Sequence, residues 1–128
     1  MNYKLFFFLS FFIFSFSKDV PKNTNLANIN VLKAYSQNIL GKNVGYYVEF
    51  KNNASNEVDA LKWKALFYDN FNDLKGQADG NWSSGNFISS IKKGETCKDL
   101  ETAWVKDATK VFIKITRVHF TNGKTFGK

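Results

Sequence analysis

His119 and Cys97 are the only histidine and the only cysteine of the chain, so any base–thiol chemistry must run through them. Neither sits in a nucleophile-elbow or papain-like context, and His119 has no Cys, Asp or Glu at metal spacing beside it. A small hydrolase pairing His119 with Cys97 or a serine therefore ranks last among the functions weighed, and His119 is expected as a structural residue near a strand end. The acidic stretch from Asp69 to Asp79 offers Asp69, Asn70, Asn72, Asp73 and Asp79 as oxygen ligands. Counted from Asp69, an EF-hand would need an acidic group where Phe71 stands, Gly where Leu74 stands and Glu where Gly80 stands. That loop is excluded. Ordinary Asx-turn chemistry explains the stretch better than an irregular calcium site, so no metal and no cofactor is expected.

Aromatic and basic residues carry more. Trp82 lies in Asp79-Gly80-Asn81-Trp82-Ser83-Ser84-Gly85, a polar segment with no strand period. An exposed ring flanked by Asn81 and Asn86 suits sugar stacking or a protein contact, which makes a carbohydrate-binding module one alternative. A loop anchor folded over the end of the domain competes, because Trp is highly buried on average. Trp63 and Trp104 lie on inward-reading runs and are expected in the core. A second candidate surface is an outward face carrying Tyr47, Lys62, Lys64 and Lys114, where a ring and several cations would suit an anionic polymer. The chain has 18 basic against 11 acidic residues, for a net charge of +7. Arg117 is its only arginine, and no block of five like charges occurs, so nucleic acid is not expected as a partner. Asn53-Ala54-Ser55 and Asn81-Trp82-Ser83 match the N-glycosylation pattern, which matters only in a eukaryotic secretory path.

These residues need elements to hold them. The first 17 residues read as a secretory signal: Lys4, then the apolar stretch Leu5 to Phe16, then small residues at Ser15 and Ser17. As a helix that stretch covers only about 18 Å of a hydrocarbon core about 30 Å thick, so cleavage after Ser17 is favoured over a lasting anchor. Membrane contact is then expected only before cleavage, and the location is extracytoplasmic: periplasm, cell surface or secreted. Lys18 to Asn25 reads as a flexible leader, and residues 26–128 as one domain. Cys97, having no second cysteine to bridge, is expected as a buried thiol rather than the link of a covalent dimer.

From Ile29 onward, short alternating runs are separated by Asn, Asp and Gly clusters. Strands are predicted over 29–36, 44–51, 58–68, 87–91, 96–105 and 110–121, with a return over 124–126. Val44 to Lys51 alternates most cleanly, and Val58 to Tyr68 is read as strand over helix because Lys62 and Lys64 fit a period of two. Residues 74–86 read as a long loop around Trp82 with room for a short strand. Asn122-Gly123 predicts a type I′ hairpin turn. The whole predicts an all-β, immunoglobulin-like β-sandwich of six to seven strands, with a small closed barrel as the alternative.

Three segments carry a family likeness: Phe50-Lys51-Asn52-Asn53-Ala54-Ser55, Ala65-Leu66-Phe67-Tyr68-Asp69 and Lys92-Lys93-Gly94-Glu95-Thr96. Together they resemble exported FxLYD-type and related immunoglobulin-like domains of bacterial surface proteins, over roughly Val44 to Phe126. Ala65, Phe67 and Asn70 depart from that pattern. The resemblance implies a fold and brings no catalytic residue. The expectation is a non-enzymatic exported module that binds a protein or glycan partner or acts as an envelope accessory.

Overall fold

Period-two burial writes the two central strands, and the rest of the chain is arranged around them. The computed structural model describes residues 20–128, so the expected signal segment lies outside the described residues. Within them the chain forms β1 Ile29–Ile39, β2 Lys42–Asn52, β3 Val58–Tyr68, β4 Leu74–Ser83, β5 Thr96–Thr102, β6 Lys110–Phe120 and β7 Thr125–Gly127, and no helix. They make two antiparallel sheets, ordered β1-β2-β5 and β4-β3-β6-β7. This is the predicted sandwich. Relative to the seven-strand constant-type arrangement, the fourth strand sits beside the third instead of in the other sheet.

The inner faces meet through Tyr46, Val48 and Phe50 of β2, Leu61, Trp63, Ala65 and Phe67 of β3, and Val111, Ile113 and Ile115 of β6, all buried. Burial of each large apolar side chain stabilises the fold by roughly 1.5–3 kcal/mol. Phe50 tilts against Trp63 at 4.9 Å and Tyr46 meets Phe67 edge-on at 5.8 Å. Between the two sheets, Trp63 Nε1–H donates to the Tyr46 hydroxyl at 2.9 Å, so both buried polar groups are satisfied. Burial pushes the Tyr46 hydroxyl up to about 12. Gly80 of β4 lets the indole of Trp63 lie flush on that strand, since a Cβ there would sit 2.2 Å from the ring.

Two buried asparagines close the ends. Asn52 Nδ2 donates to the carbonyls of Ile91 and Asn56, and its Oδ1 accepts from Ala54 N–H. Asn43 is 4% exposed and bonds Ser36, the carbonyl of Gly45 and the N–H of Val105.

Several expectations are corrected. Residues 74–83 are a full strand, not a loop. Their inward positions are Gly76, Ala78, Gly80 and Trp82, and Gly76 and Gly80 are kept small because Val105 and Trp63 press on them. In 87–91 only Ile91 pairs, in a bridge to Val58. Asn122-Gly123 is not a two-residue type I′ turn. Gly123 N–H donates to the Phe120 carbonyl and Phe120 N–H to the Lys124 carbonyl, with Gly123 at φ 91°, which is a three-residue loop ending in a left-handed glycine. The type I′ geometry occurs instead at Leu40-Gly41, with φ 52° and 75°, between the paired Ile39 and Lys42. Part of the leader is pinned rather than free. Thr24 N–H donates to Ile113 O and its carbonyl accepts from Ile115 N–H, while Asn23 Oδ1 accepts from Ile113 N–H. β7 covers only the later half of β6, from Arg117 on, so the earlier half has an open edge for this segment.

Trp104 is the largest departure from the expected core, at 79% exposed. β5 ends at Thr102, before it reaches Trp104. Its inward residues are Cys97, Asp99 and Glu101, opposite Phe50, Val48 and Tyr46, while Leu100 faces out. Inward charge on an edge strand blunts edge-to-edge pairing, and here it also inverts the apolar pattern. Cys97 is half-buried rather than fully buried, and burial pushes its thiol up to about 11.

Candidate functional site

Two central strands and a bulge build the strongest cluster of cations on one sheet face. On β3, Lys62 and Lys64 alternate outward between buried Leu61, Trp63 and Ala65. On β6, Lys114 alternates outward between Ile113 and Ile115. Arg117 would point inward if that alternation continued. It does not, because Trp63 pairs with Ile115 while Lys62 pairs with Arg117, leaving Thr116 as an extra residue. This β-bulge turns Arg117 to the outer face and lets Val118 and Phe120 return to the core.

The result is two rows of like charge, Lys62 opposite Arg117 and Lys64 opposite Lys114. Such pairs oppose sheet formation by roughly 0.2–1 kcal/mol each. Among the described residues the ion pairs are Lys75 with Asp69 and His119 with Asp59, so none of these four cations has a carboxylate in ion-pair range. Beside them opens a recess of about 690 Å³ lined by Lys62, Lys64, Lys114, Lys128, Asn81 and Asp79, with Asp79 the one acidic side chain among its described lining residues. Asn81 and Asp79 arrive from β4, opposite Lys62 and Lys64. A shallow groove in which cations outnumber carboxylates suits a ligand rich in anionic oxygens.

The candidates read from sequence therefore divide. Lys62, Lys64, Lys114 and Asn81 come together. Tyr47 does not join them, because β2 and β3 belong to different sheets; it lies on the opposite outer face, stacked on Tyr35 at 4.9 Å and donating to Glu49 Oε2 at 3.1 Å. Trp82 points away from Asn81 and is half-buried against the core, within strand β4 rather than on a loop folded over the end of the domain. Asn86 is exposed in the loop after β4. Arg117 and Lys128 were not singled out. Arg117 needed the bulge to be known, and Lys128 needed the final backbone bond, Lys128 N–H to Thr116 O, that brings the end of the chain to this face.

The other sites considered are accounted for by local structure. His119 Nδ1 is bonded to Asp59 Oδ1, and among the described residues no hydrogen bond joins its ring to a serine, threonine or cysteine. Asp69 Oδ1 accepts from the N–H groups of Phe71 and Asp73, and its Oδ2 lies 3.4 Å from Lys75 Nζ. The backbone bond from Asp73, with that from Phe71 and the Lys75 contact, holds its carboxyl below the usual range. This is the predicted Asx-turn. Among the described residues no group of three or more His, Cys, Asp or Glu is placed to hold a metal ion.

No family model matches this chain, and no curated protein matches it. Among solved structures, one described as the ApaA protein from Bordetella pertussis aligns over 83% of this chain and 89% of that chain. Identity is 16% and the TM-score 0.46, a likeness that decides neither fold nor activity.

Proposed function

We propose that this chain is an exported, non-enzymatic β-sandwich module that binds an acidic polysaccharide or similar envelope polyanion on the outer face of its four-stranded sheet. The observation that carries the reading is the pair of like-charge rows, Lys62 with Arg117 and Lys64 with Lys114, which have no carboxylate in ion-pair range among the described residues, although Asp79 stands opposite Lys64 on β4. A ligand that supplies further anions offsets the repulsion within these rows. Export rests on the signal pattern of the first 17 residues. Kinship with exported FxLYD-type domains belongs to the same proposal and contributes a fold rather than a ligand. Of the cations grouped around the recess, Lys62, Lys64, Lys114 and Lys128 are lysines beside the one Arg117, which favours repeated carboxylates or sulfates met as point charges over the bidentate base contacts of nucleic acid.

The test is retention on an immobilised acidic polysaccharide compared with neutral dextran. The chain should bind the first, release with rising salt and ignore the second. Lys62→Glu with Lys64→Glu should weaken binding at least about tenfold. Lys92→Glu with Lys93→Glu, the same charge change in an exposed turn, should leave it nearly intact. Equal loss from both pairs would reduce the interaction to net charge and remove the site.

A further inference from the structure

The outer face of the four-stranded sheet continues past its two cationic rows. Along β3 and β6 the outward pairs are Lys64 with Lys114, Lys62 with Arg117 and then Ala60 with His119, and Thr125 of β7 stands beside the histidine. His119 lies between buried Val118 and Phe120, so its ring shares the outer side with Arg117. Successive rows are two β3 residues apart, about 6.6 Å along a strand. Ala60 has too short a side chain to fill its row. A second recess of about 280 Å³ opens there, lined by Ala60, Lys62, Arg117, His119 and Thr125 among others. Lys62 lines both this recess and the larger one, so the two adjoin at that side chain.

The ring of His119 is held on one side and open on the other. Its Nδ1 is bonded to Asp59 Oδ1, from the first turn of pairing in β3. A carboxylate only accepts, so Nδ1 carries the hydrogen, and the neutral ring then keeps a bare lone pair on Nε2. Among the described residues the ring has no other hydrogen bond, and its side chain is 41% exposed. With the ring neutral, the pair brings one negative charge beside Lys62 and Arg117 and offers an anionic oxygen no donor. With the ring protonated, the pair has no net charge and Nε2–H becomes a donor. The remaining charged groups around it are Lys62 of β3, Arg117 of β6 and Lys124, which precedes Thr125. Glu57, just before β3, accepts from the Ser90 hydroxyl instead.

We infer that His119 is the third anion contact of this face and engages a polyanion only in its protonated form, an inference that rests on the basic-face reading above. Histidine changes charge between about pH 5 and 8, an interval over which lysine and arginine do not. Asp59 already orients the ring, so acidification adds a donor at a preset position.

The test is binding of short-chain dextran sulfate by the protein, prepared without a histidine tag, at about pH 5.5 and about pH 7.5 and one ionic strength. The sulfates stay ionised at both, so any change belongs to the protein. Affinity should rise roughly threefold to tenfold at the lower pH, the effect of one charge at this separation in a partly screened setting. His119→Gln keeps a donor for Asp59 and cannot gain a proton. It should bind at the higher pH nearly as the natural chain does, keep its unfolding midpoint and lose most of the rise. Glu101, whose carboxyl is raised by burial, lies in the other sheet and is untouched in that variant. A rise that survives His119→Gln would therefore overturn the inference. The natural chain supplies a second readout, because its one histidine gives unambiguous ring resonances. Their titration midpoint should rise by about half a pH unit to one on saturation with the same dextran sulfate, the reciprocal of the same coupling. An unmoved midpoint, or firm binding that is flat across pH, removes His119 and leaves the rows of Lys62 and Lys64 standing. No binding at either pH removes both readings.

Discussion

Trp63 and Tyr46, from opposite sheets, are joined by a 2.9 Å hydrogen bond at the centre of the core, and both are 1% exposed. Tyr46→Phe keeps the ring and strands the indole N–H in an apolar setting. A buried unsatisfied donor costs about 1–3 kcal/mol, so the variant should unfold at correspondingly lower denaturant with an unchanged m-value.

Gly80 holds the same tryptophan from its other side. A methyl group there overlaps the indole, and overpacking of this kind costs about 1–3 kcal/mol or more. Gly80→Ala should lower thermal stability and shift the Trp63 fluorescence; an unaltered spectrum would show that the ring does not rest on β4.

The acid limb of stability should belong to the turn at Asp69. Its folded-state carboxyl titrates below the unfolded one, so its contribution is present above the unfolded value and is lost as pH falls through the folded value. Glu101 has the opposite sign. Burial, then the neighbouring Asp99, raises its carboxyl, so its contribution is present at low pH and lost as pH rises through the raised value. Glu101→Gln should therefore raise the unfolding midpoint at neutral pH and change it little at pH values where Glu101 is already protonated. Asp69→Asn should flatten the acid limb. Thermal scans across pH check both.

Cys97 should behave as an unreactive thiol. With its thiol pushed up to about 11 by burial and then Asp99, the reactive thiolate is scarce near pH 8, and alkylation should be on the order of a hundredfold slower than for a free thiol. Rapid modification, or a disulfide-linked dimer formed in air, would contradict the placement of β5.

Alternation alone revealed β2, β3 and β6, because their inward residues are large and their outward ones charged or polar. β4 stayed hidden for a physical reason: three of its four inner positions, Gly76, Ala78 and Gly80, are small, with Gly76 and Gly80 shaped by Val105 and Trp63 rather than by strand propensity. β5 misled because its inward places hold Cys97, Asp99 and Glu101 and its apolar Leu100 faces water, which carried Trp104 wrongly into the expected core. Of the site, Lys62, Lys64 and Lys114 could be read from period-two spacing. Tyr47 was misassigned because nothing local says that the chain changes sheets between β2 and β3. Arg117 was out of reach because one extra residue, Thr116, reverses its side.

The like-charge rows link stability to binding with opposite signs. Lys114→Glu sets an anion opposite Lys64 and should stabilise the sheet by a few tenths of a kcal/mol while weakening polyanion binding. Lower stability together with lower binding would instead mark Lys114 as a structural residue.

The most direct measurement is an amide-resolved NMR titration of the chain with a short acidic oligosaccharide. Shifts concentrated at Lys62, Lys64, Asn81, Lys114 and Arg117, and fading as salt rises, are the predicted result. Shifts centred on Tyr35 and Tyr47 of the other sheet, or spread evenly over every lysine, would contradict the assignment of this face.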